Sequence, residues 1–283
     1  SSSLNLTKKI IKIFKQNKKN LKNVIILFEN HAFERILIGY CNENNLLVMG
    51  YFFSVIREES VSAFFKYEKK FMPKYIFTAG NVSKKYFEKN LKKEYKNKII
   101  NIGSPKNSKR KKFKLNHKDN KKILVCPEGL YFESKKMLEL SIDILKKIDD
   151  CEIIFRLHPV IDVKKLNNLL DNKILKLKFT ISNNTLNKDL RDADYILYRG
   201  SSVCINAVMN GVIPINFSKN EEFSVDPIYE LNTNVISNTE DLQNILIKYN
   251  SKNERKTNLF MKNIQSYCSE YFSRMNYFFH FII

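Results

Sequence analysis

The chain has no run of about 18 apolar residues, which excludes a hydrophobic membrane-spanning helix. Its five cysteines (Cys41, Cys126, Cys151, Cys204 and Cys268) are odd in number and lack Cys-x-x-Cys spacing. Most sit inside apolar runs, so they read as reduced core thiols of a cytosolic protein. No zinc-finger spacing and no RNA-recognition signature occurs. Acidic residues are scarce: 29 Asp and Glu face 49 Lys and Arg, a formal charge of +20. A field this positive favours anionic partners: nucleotide phosphates, an anionic membrane face or nucleic acid. The chain opens on Ser1-Ser2-Ser3, neither a start methionine nor a signal peptide, and so reads as an excised fragment.

Core material is ample. With 283 residues and 43% hydrophobic content, the chain can build two ordinary domains or one large one. Residues 4–19 place Leu6, Ile10, Ile11 and Phe14 among lysines, the pattern of an amphipathic helix with a basic face. Strands are expected at 23–28, 46–51, 74–78 and 98–102, with helices at 33–42 and 83–93 between them. The rhythm restarts with strands at 122–126, 152–157, 175–181, 194–198 and 212–217, and helices at 132–147, 163–170, 186–193 and 203–210. A short strand at 234–236 and a helix capped by Asn238 or Thr239 follow, then a helical tail from 253 to about 278 whose aromatics (Tyr267, Tyr271, Phe272, Tyr277, Phe278 and Phe279) read as packing against the N-terminal half. Alternation of this kind defines an α/β protein built on parallel sheets. Between the two series lies a basic run, residues 106–114. A solvated linker is its first reading, membrane adhesion and nucleic-acid binding the alternatives. Only Phe113 could stack on bases there, and nucleic acid is not an expected partner.

Chemistry-bearing residues gather where strands end. Arg199-Gly200-Ser201-Ser202 follows the apolar segment 195–198 and opens a helix, where unpaired N–H groups, two hydroxyls and a guanidinium can meet a phosphate. A plain serine cap explains the same residues without a ligand. Glu128-Gly129 and His158-Pro159 end two further strands, and His158 reads equally as a turn histidine. In an open α/β sheet ligands lie beyond the carboxyl ends of the strands, the edge all three share. In the first series, Glu29 and His31 follow the first strand and Glu34 opens the next helix. A carboxylate at such a point can serve as a general base. The first choice is Glu29, with His31 its rival, while Glu34 reads equally as a helix ion-pair partner.

A strand ending in His158-Pro159, followed by one ending in Ser201-Ser202 before a helix, resembles the nucleotide half of GT-B glycosyltransferases. The likeness is to those using CMP-activated acid sugars, the bacterial sialyltransferases and Kdo-type transferases. Wall-polymer glycerophosphotransferases share the outline. The segment 28–35 with Gly50-Tyr51 also resembles surface-carbohydrate biosynthesis proteins. The resemblance covers residues 23–230. It implies two Rossmann-like domains facing across a cleft, with a short N-terminal half and a helical C-terminal tail. On this reading residues 1–104 are the acceptor domain, 105–121 a basic linker, 122–252 the nucleotide-sugar domain and 253–283 the tail. His158 would donate to the phosphate, Pro159 fix its turn, and Ser201 and Ser202 hold the same group. Glu128 and Gly129 would lie by the nucleotide or sugar, while Arg156 and Arg199 supply charge in place of a metal. No metal and no cofactor beyond the donor is expected. Asn206 stands where many relatives carry a ribose-binding Glu, and Phe52-Phe53 where surface-carbohydrate proteins tend to carry Gln-His.

The implied activity is transfer of an acidic sugar from a CMP donor to a surface or lipid-linked glycan. A CDP-polyol or UDP-sugar transferase of the same fold, or a non-catalytic nucleotide-sugar-binding relative, are the alternatives. The expected location is the cytoplasm, at an anionic inner membrane face.

Overall fold

A computed structural model of the chain describes residues 2–29, 31–56, 68–96, 98–107, 109–113, 120–162, 164, 178–218, 224–231, 234–249 and 253–275. The chain divides into two compact units, residues 1–107 with 270–283, and residues 108–269. Part of the expected 163–170 helix and the start of the 175–181 strand lie outside the described residues, as do Ser108 and Lys114 of the basic run and Tyr277, Phe278 and Phe279 of the tail.

The first unit runs α1 (Ser2–Gln16), β1 (Asn23–Leu27), α2 (Ala32–Glu43), β2 (Leu47–Phe52), β3 (Tyr75–Thr78), α3 (Asn81–Asn90), α4 (Lys93–Lys96) and β4 (Ile99–Asn101). Its four strands are parallel and lie in sequence order. Val24, Val48, Ile76 and Ile99 project from one face into a core shared with Ile38, Cys41 and Phe87 of the helices. The expected 83–93 helix is two short ones, because the chain becomes extended at Leu91 (ψ 156°) before α4 begins.

The second unit runs β5 (Lys121–Cys126), α5 (Tyr131–Lys147), β6 (Cys151–Phe155), β7 (Phe179–Ile181), α6 (Leu186–Asp192), β8 (Tyr195–Tyr198), α7 (Val203–Met209), β9 (Ile213–Phe217), β10 (Asn234–Ile236), α8 (Thr239–Lys248) and α9 (Glu254–Ser269). All pairings are parallel, in the order β10-β9-β8-β5-β6-β7. Ile123, Leu124 and Val125 of β5 are all fully buried, as a central parallel strand covered on both faces must be. From β5 the chain winds outward through β6 and β7, then returns and winds the other way through β8, β9 and β10. The order therefore reverses between β5 and β8. At such a reversal the loops leaving neighbouring strands run to opposite faces, which in open α/β sheets is the place where ligands bind.

Two sequence expectations are redrawn. The basic run is not simply solvated: Lys111 N–H donates to Met209 O (2.8 Å), and buried Gln265 of α9 donates to Lys111 O (2.9 Å) and accepts from Arg110 Nε (2.7 Å). Its backbone is fixed on the second unit while the side chains from Lys109 to Lys112 face water. The tail helix stops at Ser269. Beyond it the backbone finds partners in the first unit: Ser273 N–H donates to Ala79 O (2.9 Å), and Ser273 O accepts from Ser104 N–H (3.0 Å). Tyr271 and Phe272 are buried, as packing against the N-terminal half requires.

All five cysteines are buried. Burial pushes the thiols up, to about 11 for Cys41 and Cys151 and about 12 for Cys126. Cys204 and Cys268 are raised for the same reason. The native protein is thus expected to resist iodoacetamide near pH 8 and to take it up at every cysteine once unfolded in guanidinium. Rapid labelling of any one cysteine in the native state would contradict this.

Candidate functional site

The register of the second sheet levels the three marked strand ends. Val125 pairs with Phe155, and Cys126 with Tyr198. Continued past the strands, the same offsets set Glu128 level with His158 on one side and Gly200 on the other. The side chains bear this out. A Cβ on Gly129 would lie 3.1 Å from His158 Nδ1 and 2.8 Å from Val160 Cγ2. One on Gly200 would run into Glu128 Oε1 and come within 2.9 Å of Val225 Cγ2. Both glycines are where they are because a neighbouring strand end needs the space.

Each member is fixed by local bonds. The first turn of α5 grips Glu128 by its backbone: Glu133 Oε1 accepts from Glu128 N–H (3.2 Å), and Ser134 Oγ donates to Glu128 O (3.4 Å). That leaves the Glu128 carboxylate against the Gly200 turn. His158 is exposed beyond β6, in a turn closed by Ile161 N–H to His158 O (2.9 Å) and shaped by Pro159. Its Nδ1 accepts from Val160 N–H (3.4 Å), so the neutral ring carries its proton on Nε2 and can donate it outward. Beyond β8, Asn216 Nδ2 donates to Arg199 O (2.6 Å) and sets the turn, with the Arg199 side chain half-buried. Ser201 Oγ accepts from Val203 N–H (3.3 Å), whereas the Ser202 side chain makes no capping bond. Asn206 lies one helical turn beyond Ser202 on the same face of α7.

Three further residues belong to this setting, and of them only Asp226, before Pro227, had a reading from the sequence, as the start of a turn. Asn216 is a polar residue in an otherwise apolar strand. Asp226, 3% exposed, accepts from Tyr198 Oη (2.8 Å) and Ile228 N–H (3.0 Å), and so holds Val225 over Gly200. Glu133 does its work from within a helix.

Arg156, expected as a donor-side cation, is engaged by a buried carboxylate. Its Nη1 is bound to Asp189 Oδ2 (2.8 Å) and Asn184 O (2.7 Å), and Asp189 also accepts from Ser182 Oγ (2.6 Å). Asp189 is 1% exposed, and a buried carboxylate needs this cation. Arg156→Ala is therefore expected to lower unfolding stability by about 3–5 kcal/mol, the cost of an uncompensated buried charge. A denaturation midpoint equal to wild type would contradict it. Asp192-Ala193-Asp194, the only Asp-x-Asp sequence, has Asp194 Oδ2 accepting from Lys122 N–H (2.9 Å). That is the opposite end of β8 from Gly200.

In the first unit, Glu34 is 2% exposed and its Oε2 accepts from both Glu29 N–H and His31 N–H (2.9 Å each). It clamps the loop after β1 and has no access to an acceptor. Glu29 Oε2 lies 3.5 Å from His31 Nε2, with the side chains 28% and 57% exposed. His31 stacks on Phe33 with centroids 5.6 Å apart. The same device occurs in both units. Glu29, Phe33 and Glu34 repeat the spacing of Glu128, Phe132 and Glu133, each pair having a buried helical glutamate that receives the N–H of a strand-end glutamate five residues earlier.

No protein-family profile matches the sequence, and no curated protein matches it. Solved structures do. The chain is similar to the S. aureus MnaA–UDP co-structure (TM-score 0.59, 10% identity, 96% of this chain and 76% of that one). It is also similar to the spinosyn rhamnosyltransferase SpnG complexed with thymidine diphosphate (TM-score 0.58, 10% identity, 95% and 74%) and to a UDP-N-acetylglucosamine 2-epimerase (TM-score 0.55, 11% identity, 94% and 74%). At such identities the likeness establishes the fold: an α/β chain of two parallel-sheet units of the GT-B kind.

Proposed function

We propose that the chain is a glycosyltransferase that takes a sugar from a nucleotide-activated donor, with the donor held at the carboxyl ends of β5, β6 and β8. The observation carrying this is the meeting of Glu128, Gly129, His158 and Gly200 at the one point where the strand order reverses. The groups divide by sign. His158 Nε2–H and the hydroxyls of Ser201 and Ser202 are donors suited to a phosphate. The Glu128 carboxylate would repel a phosphate and suits sugar or ribose hydroxyls, a role consistent with Asn206 standing where relatives carry a ribose-binding Glu. Cleaving the sugar–phosphate bond leaves the bonding pair on the phosphate oxygen, and donors aimed there stabilise that charge. Arg199 adds a positive charge beside the same turn. In the first unit, Glu29, oriented by its bonded backbone and paired with His31, is the carboxylate suited to take the proton that an acceptor hydroxyl gives up on receiving the sugar.

The finer reading is a CMP donor carrying an acidic sugar, placed in surface-glycan synthesis at the cytoplasmic membrane face. A nucleoside-diphosphate donor is the second reading, favoured by the UDP and thymidine diphosphate complexes among the similar structures. Incubating the protein with CMP-, UDP- and TDP-sugars and following nucleotide release separates them. Release from one donor class, stimulated by a glycan acceptor, is expected. Recovery of a 2-epimerised UDP-sugar, or no turnover of any donor, would contradict the transferase reading.

A further inference from the structure

We infer that α1 is a docking element for an anionic lipid surface. No acidic residue precedes Glu29, while Lys8, Lys9, Lys12, Lys15, Lys18, Lys19 and Lys22 all do, and all seven are exposed. The helix has already used one apolar stripe. Thr7 is buried, Ile10, Ile11 and Phe14 are half-buried, and the Phe14 ring packs 6.3 Å from that of Tyr40 on α2. Off that stripe, a pair of apolar side chains is left facing water: Leu6 is 54% exposed and Ile13 54%. Leu6 and Ile13, seven residues apart, lie two turns along the same line of the helix.

Lys9, three residues after Leu6 and four before Ile13, stands beside that line with Lys12 next to it on the outer face, and lysine beside exposed leucine and isoleucine suits one kind of surface. The ammonium groups meet lipid phosphates while their stems and the apolar side chains enter the headgroup boundary. A polynucleotide would satisfy the lysines but gives Leu6 and Ile13 nothing to bury in. The one aromatic ring of α1, on Phe14, is turned inward and cannot stack on bases. Because the exposed apolar set is small, charge dominates, and binding to neutral lipid alone should be weak. Such docking would bring the chain to lipid-linked acceptors, yet it stands on α1 alone and does not depend on the transferase reading.

The test is co-sedimentation of the whole chain with vesicles of phosphatidylcholine alone, or of equal parts phosphatidylcholine and phosphatidylglycerol. Binding to the anionic vesicles is expected to be at least about tenfold tighter than to neutral ones. Leu6→Ser with Ile13→Ser should weaken it about tenfold, by removing the inserted apolar groups. Lys9→Gln and Lys12→Gln should each weaken it about fivefold, since a lysine near such a surface contributes about 1 kcal/mol. All substituted positions are exposed, so melting temperatures should match wild type. Nucleotide-induced stabilisation, measured on the same samples, should also be unchanged, which separates failure here from failure of the donor site. Three outcomes would overturn the inference: no vesicle binding; equal binding by heparin or duplex DNA that ignores the Leu6 and Ile13 changes; or variants that alter self-association without lipid and leave vesicle binding intact.

Discussion

Replacing His158 by alanine removes much of the stabilisation that the donor nucleotide confers, while hardly moving the melting temperature of the free protein. The free protein loses little because the ring is exposed and its bond to Val160 N–H is long, at 3.4 Å. The complex loses the Nε2–H donor to the phosphate. A hydrogen bond to a charged group contributes about 1.5–3 kcal/mol, or about 10–150-fold in Kd. Nucleotide at about 100 times its Kd stabilises a protein by about 2.7 kcal/mol, and a loss of that size takes away between about half and about nine-tenths of it. Ser202→Ala should reduce the shift less, since it removes one neutral hydroxyl among several donors. A nucleotide shift that survives His158→Ala unchanged would detach this residue from the site.

Glu29→Gln should slow transfer by about 10²–10⁴-fold, the usual worth of a positioned general base, and leave nucleotide affinity as it was. The amide keeps the shape and the backbone bond to Glu34 but cannot accept a proton. His31→Ala should cost less if the imidazole only orients the carboxylate. The reverse ranking, measured as single-turnover rates at saturating donor, would make His31 the base. Equal rates for wild type and both variants would contradict a base in the loop after β1. Glu34→Gln answers a different question, because this side chain is 2% exposed and holds the loop itself. Its loss should lower stability, and lower transfer only through the position of Glu29.

Much of the sheet was readable because its signals are local. Apolar runs such as Ile123-Leu124-Val125 announce central strands, and a polar or small residue directly after each run marks the strand end. That is how Glu128, His158 and Gly200 were found. The alternation of strand and helix then puts those ends on one edge whatever the strand order. The order was not readable: that β8 returns beside β5 depends on which faces the helices cover, and it is this return that reverses the strand order. Partnerships across long separations were hidden too. Arg156 looks like a donor-side cation until Asp189 is found beneath it, and in sequence a buried carboxylate on α6 looks like any surface one. The return of Tyr271 and Phe272 to the first unit was legible in the aromatic tail, whereas the bonds of Ser273 to Ala79 and Ser104 that fix it were not. By contrast, the paired Glu-x-x-x-Phe-Glu segments were legible in principle. Their repetition at 29–34 and 128–133, each just after the first strand of a unit, was a signal that both strand-end glutamates are held the same way.

The most direct measurement is the imidazole ¹⁵N spectrum of histidine-labelled protein, titrated with CMP, UDP and TDP. The chain has four histidines, so His158 can be assigned by its disappearance in His158→Ala. One nucleotide should move the protonated Nε2 resonance of His158 as it donates to the phosphate, and leave the His31 signals in place. A nucleotide that stabilises the protein without touching His158, or that moves only His31, would show that the phosphate lies elsewhere than at the ends of β5, β6 and β8.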